Sequence, residues 1–130
     1  MICSLARTFY SGRDGSNVPM SIAITNPKQK QIKAVTVQLL QTVSLHGIKR
    51  EHEIFTALLH EIPENTRETQ MSMTTNLLLP NTLTPTFVPN ERGQPENFPA
   101  LSITYEFRVT AQMKGAITPN IRLAVPIGIE

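Results

Sequence analysis

The chain has 130 residues, and since one hydrophobic core organises about 100 to 200 residues, two independent domains are excluded. With 40% apolar and 17% charged residues it lies far from the low-hydrophobicity, high-charge compositions that stay disordered. A net charge of +2, one cysteine and three histidines give no basic, aromatic-interleaved stripe for nucleic acid, no internal disulfide and no cysteine-rich zinc spacing.

Thr, Ile and Val number 15, 12 and 7, so 34 of the 130 residues are β-branched, a class that suits pleated, half-buried surfaces. The expectation is an all-β protein. Cys3, Leu5 and Phe9 suggest a first strand, interrupted by Arg7, before the turn chemistry of Ser11-Gly12-Arg13-Asp14-Gly15. Val18, Met20, Ile22 and Ile24 alternate with polar or small residues up to the breaker Asn26-Pro27. Val35, Val37, Leu39, Val43 and Leu45 repeat that pattern, with Gln41 as a polar intruder on the apolar side, and His46-Gly47 closes it. Glu51 to Ile62 fits a helical stripe (Ile54, Leu58, Ile62) as well as a two-sided strand. Strand is preferred, because the long Lys33 to Leu45 strand needs an antiparallel partner nearby.

Pro63-Glu64-Asn65 ends this segment, and Met71, Met73, Thr75, Leu77 and Leu79 form the next period-2 run. Pro80 to Pro99 holds five of the ten prolines and reads as a stiff connection between sheets. Leu101 to Met113 is the clearest strand, with seven apolar-side positions alternating with Ser102, Thr104, Glu106, Arg108, Thr110 and Gln112. Ile121, Leu123, Val125, Ile127 and Ile129 give the last. The spacing predicts an elongated, immunoglobulin-like β-sandwich of seven to eight antiparallel strands over residues 1–130.

No catalytic constellation emerges, and the chain reads as no enzyme. There is no Gly-x-Ser-x-Gly elbow and no glycine-rich phosphate cradle; Cys3 is expected to be a small buried hydrophobe. His46, His52 and His60 are expected to be ordinary surface residues, since His52 and His60 on one strand would be about 26 Å apart. Glu51, Glu53, Glu61 and Glu64 read as a solvated face. No metal or cofactor is expected. Lys28, Lys30 and Lys33 form a small basic knot, the one weak partner-binding candidate, for phosphate or anionic lipid. Met1 to Gly12 contains no apolar signal core, no apolar run approaches about 18 residues, and there is no Asn-x-Ser/Thr sequon; these features favour the cytosol.

The order of the pieces carries a resemblance. Arg7-Thr8-Phe9-Tyr10-Ser11-Gly12, then Val18 to Asn26, then Ile32 to Gln41 resembles the opening of the arrestin C-terminal domain. Leu77-Leu78-Leu79-Pro80 with Pro85-Thr86, then Ile103 to Val109, then Leu123-Ala124-Val125-Pro126-Ile127-Gly128-Ile129 is similar to its closing half, and the last two resemble the α-arrestin, or arrestin-domain-containing, branch. The resemblance implies one lobe of a two-lobe protein whose N-terminal arrestin lobe is not in this chain. It implies a non-enzymatic adaptor that links membrane receptors or transporters to sorting, endocytosis and ubiquitin-ligase machinery, in the cytoplasm and peripherally at the plasma membrane or endosomes. The chain lacks the Pro-Pro-x-Tyr that recruits WW-domain ligases in that branch. Ser11 stands nearest the cysteine of the thioredoxin-interacting branch, so a thioredoxin mixed disulfide would need Cys3 instead. A retromer-like endosomal coat subunit is the alternative. A lipid carrier would require an apolar pocket between the sheets. A free lobe is expected to expose an apolar patch and to self-associate weakly through it or through an edge strand.

Overall fold

β-Branched and aromatic residues on one side of the period-2 runs fold the described residues into eight strands. The computed structural model describes residues 1–5, 9–11, 17–80, 82–88, 101–115 and 120–130. Its strands are β1 (Ile2–Leu5), β2 (Phe9–Tyr10), β3 (Asn17–Thr25), β4 (Ile32–Leu45), β5 (Ile48–Leu58), β6 (Gln70–Leu78), β7 (Leu101–Met113) and β8 (Ile121–Ile129). They build an immunoglobulin-like sandwich of a three-stranded sheet, β1-β3-β6, on a five-stranded sheet, β2-β8-β7-β4-β5. The ladders are antiparallel, as expected, except that of β2 with β8, which is parallel and two residues long.

The spine is β4 against β7, paired from Ile32↔Met113 to Leu45↔Leu101 with one register shift between Ile32 and Ala34. Val35, Val37 and Leu39 on β4 and Phe107 and Val109 on β7 are fully enclosed, facing Val18, Met20 and Ile22 of β3. Between β4 and β5 the chain reverses at His46 and Gly47, whose φ angles of 52° and 78° are those of the primed hairpin turn that matches strand twist. The Glu51–Ile62 segment is a strand, as preferred, but it begins at Ile48 and ends at Leu58. A register shift against Leu39/Leu40 leaves Ile54 as the extra residue of a bulge. Leu59 and Ile62, in the turn that follows, are buried and plug the core.

The first predicted strand is two strands in different sheets. Cys3 and Leu5 pair with β3, while Phe9 is half-exposed and Tyr10 is buried. The connection after Pro80 is described over 82–88 and is stitched to the sheet end: Thr86 N donates to Ile129 O (2.7 Å), and Phe87 and Ile103 exchange backbone bonds of 2.9 and 2.7 Å. Residues 12–16 of the predicted glycine turn and 89–100 of the proline-rich connection lie outside the described residues.

Gly128, opposite Phe9 in the parallel ladder, is where a side chain cannot be added freely, because a Cβ there would overlap the Phe9 ring. Gly128→Ala should cost about 1–2 kcal/mol by overpacking, measured by urea denaturation. Adding Phe9→Ala should recover most of the loss, since the three atoms nearest that Cβ all belong to the Phe9 ring; no recovery would mean that the glycine serves backbone geometry instead.

Candidate functional site

With no catalytic constellation in the sequence, the surfaces are the candidates. At one end, Asn26 builds the basic turn. Its buried side chain donates from Nδ2 to Lys30 O (2.7 Å) and accepts at Oδ1 from Lys30 N (3.2 Å), while Gln29 N donates to Asn26 O (3.1 Å). Gln29 turns through a φ of 50°. Arg67 ties the turn down by donating to Gln29 O (3.2 Å) and Gln31 Oε1 (3.3 Å). Lys28 and Lys30 rim a cleft of about 270 Å³ floored by Pro27, Met113 and Ile121. Lys33 is exposed but does not line this cleft; it lies where the β4–β7 register shifts between Ile32 and Ala34. The structure therefore brings two of the three lysines together, with an apolar floor that comes from strands about ninety residues further along the chain.

At the opposite end the five-stranded sheet outruns the three-stranded one. Val43 stands opposite Ile103, and Ile103 opposite Phe87; Leu45 stands opposite both Leu101 and Ile48. Directly paired residues share a face, so these side chains continue the inner, apolar face into solvent. Leu45 is 43% exposed, Ile48 67%, Phe87 45% and the adjacent Val88 65%. A hollow of about 300 Å³ lies between Val43, Leu45, Ile48 and Arg50. We call this surface the apolar ledge. In the middle of the sandwich, by contrast, the described facing side chains are buried against one another.

The outer face of the five-stranded sheet is polar. Arg108 donates to Glu51 (2.9 Å) and Glu106 (2.8 Å), which holds its guanidinium charged more firmly than usual. Glu53 accepts from Thr56 and Gln38, and those hydrogen bonds hold its carboxyl below the usual carboxylate range. Leu40, between Glu53 and Glu106 in the register, is nevertheless 5% exposed, because long polar side chains cover apolar neighbours with their stems. Exposed pairs of this kind contribute little to stability, so the array marks a wetted face.

The remaining chemical candidates stay apart. Cys3 is half-buried rather than fully buried, and burial pushes its thiol up from the usual value, which disfavours the thiolate a mixed disulfide requires. His46 sits in the hairpin turn, His52 on β5, and His60 beyond the end of β5, so the expected pairing of His52 and His60 on one strand face does not occur. Glu61 accepts a hydrogen bond from Thr75 (3.1 Å) and Glu64 is exposed. Among the described residues no cluster of three His, Cys, Asp or Glu could hold a metal ion, and no helix is long and apolar enough to cross a membrane.

Comparison with known proteins gives this architecture a place. The structure is similar to that of the sporulation control protein Spo0M from Bacillus subtilis, with a TM-score of 0.62 at 13% identity, over 99% of this chain and 48% of that one. The chain thus spans about half the length of that protein, and at this identity the likeness speaks for the fold alone. Curated proteins give no significant match. Residues 13–129 match the family model of the arrestin (or S-antigen) C-terminal domain, a family of generally non-enzymatic, protein-binding adaptor domains. A match over that much of an all-β sandwich with this strand order means that the chain belongs to the arrestin C-terminal domain family.

Proposed function

We propose that the domain is one lobe of a two-lobe adaptor of the α-arrestin branch, which links membrane receptors or transporters to sorting and ubiquitin-ligase machinery. It works in the cytoplasm, peripherally at the plasma membrane or endosomes. The observation that carries this reading is the apolar ledge. Exposed Leu45, Ile48 and Phe87 extend a core face at one end of the sandwich, and exposed apolar surface of this kind marks an interaction site. The similarity to half of a longer solved chain is in keeping with a second lobe, and the ledge is where we place it. The basic turn at the far end, with Lys28, Lys30 and Lys33, is free to contact acidic partners or anionic headgroups while the ledge is occupied.

The test is proximity labelling in cells with the full-length protein, comparing wild type with a Leu45→Glu/Ile48→Glu variant and with Lys28, Lys30 and Lys33 changed to Glu. The expected result is enrichment of membrane receptors or transporters and ubiquitin ligases by wild type. The ledge variant should lose association between its separately purified lobes, and the lysine variant should lose membrane proteins. A stable stoichiometric complex with coat subunits would favour the retromer-like alternative. Lobe association and labelling unchanged by both variants would overturn the reading.

A further inference from the structure

Among the described residues the sandwich has four edge strands, β1, β6, β2 and β5, and three of them are guarded. β1 is four residues long and β2 two. β5 carries the run Lys49-Arg50-Glu51-His52-Glu53 and a bulge at Ile54. Short length, charge and bulges are the devices that keep an edge from recruiting another strand. β6 has none of them. It is nine residues long, holds unbroken register with β3 from Gln70↔Thr25 to Leu78↔Asn17, and contains no charged residue and no proline. Its alternate backbone N–H and C=O groups face away from β3.

A groove of about 410 Å³ runs beside the first half of this edge, between the strand and the turn after β5. Met71 and Met73 are half-buried in it, and such side chains adapt to varied contacts. Among the described residues its charged lining is Glu61 and Glu68 alone. Among the described residues neither forms an ion pair, both ion pairs being made by Arg108. The Thr75 hydroxyl holds the Glu61 carboxylate against β6.

We propose that β6 is a strand-addition site, which takes an extended segment of a partner protein in which small or β-branched residues alternate with Lys or Arg. The segment's backbone extends the sheet to β1-β3-β6-peptide, and its cations lie against Glu61 and Glu68. In such complexes the backbone bonds supply affinity and the alternate side chains supply specificity. A second copy of β6 is the weaker occupant, because β6 has no cation to offer these carboxylates. The proposal rests on the adaptor reading only in taking protein binding to be the domain's work, and is indifferent to the branch.

The probe is a fluorescein-labelled peptide, Thr-Lys-Val-Lys-Thr-Lys-Val-Lys-Thr, titrated by anisotropy at low salt, with amide exchange of the complex measured residue by residue. Binding below about 1 mM is expected, with new protection on β6 and none on β5. Replacing the peptide lysines with glutamate, or its central threonine with proline, should abolish binding. Glu61→Gln/Glu68→Gln keeps the side-chain shape and the Thr75 bond, and should weaken binding about 3- to 10-fold with a shallower salt dependence. No binding, equal binding of the glutamate or proline peptide, protection on β5, affinity unmoved by the double variant, or protection of β6 by self-association would each overturn the proposal. If that happens while proximity labelling still recovers membrane cargo, the strand-addition site falls and the adaptor reading stands.

Discussion

Phe107→Ala is expected to destabilise the domain by about 3–5 kcal/mol, out of a total that for such domains is about 5–15 kcal/mol, and to lower the urea midpoint by about 2 M. Phe107 is fully enclosed at the middle of β7, paired with Leu39 on β4 and Val125 on β8. The facing β3 side chains Met20 and Ile22 are at most 2% exposed. Truncating the ring therefore removes apolar contacts and leaves a hole. Collapse into it is limited because β4, β7 and β8 are locked by long continuous ladders. Gln112→Ala, on the exposed side of the same strand, is the control and should stay within about 0.5 kcal/mol. Equilibrium urea denaturation of both variants decides the matter; a loss under about 1 kcal/mol at Phe107 would mean that the two sheets do not pack as closely as their burial implies.

The strands that were legible in the sequence are those whose pattern is purely local. β3 and β7 alternate over nine and thirteen residues, and any strand with one dry face must do so. β5 was harder because its two faces are both half-wet, and the bulge at Ile54 shifts the phase of alternation midway. The local pattern misplaces Phe9 for a related reason. The chain moves from the three-stranded to the five-stranded sheet between Leu5 and Phe9, which resets which side is inside, so that Tyr10 takes the buried position. Of the surfaces, Lys28 and Lys30 could be read from adjacency, but Met113 and Ile121 join them only through the register of β7 and β8 with the rest of the sheet. That residues 70–78 carry no charge was visible in the sequence; that they form an edge depends on strand order, which no local period encodes.

Gln41 broke the alternation of β4, and its place explains the second large effect. Tyr105 is 2% exposed. Its hydroxyl accepts from Gln41 Nε2 (2.8 Å) and donates to Thr84 O (2.6 Å), so the intruder belongs to a three-member network on the inner face. Tyr105→Phe keeps the ring and opens no hole, but leaves the Gln41 amide and the Thr84 carbonyl short of a partner. The expected cost is about 1–3 kcal/mol. Gln41→Leu alone orphans less, because Tyr105 keeps Thr84. The double variant should be more stable than the sum of the singles predicts by at least about 0.5 kcal/mol, as removing both partners leaves less unpaired. The network also anchors the segment that presents Phe87 to the ledge. In Tyr105→Phe the amides of Thr86 and Phe87, which donate to Ile129 O and Ile103 O, should exchange faster, while those of β3 and β6 change only as global stability does. Additive losses with unchanged exchange at Thr86 and Phe87 would separate Tyr105 from the ledge; coupling with faster exchange would make its hydroxyl the link through which core packing sets the docking surface.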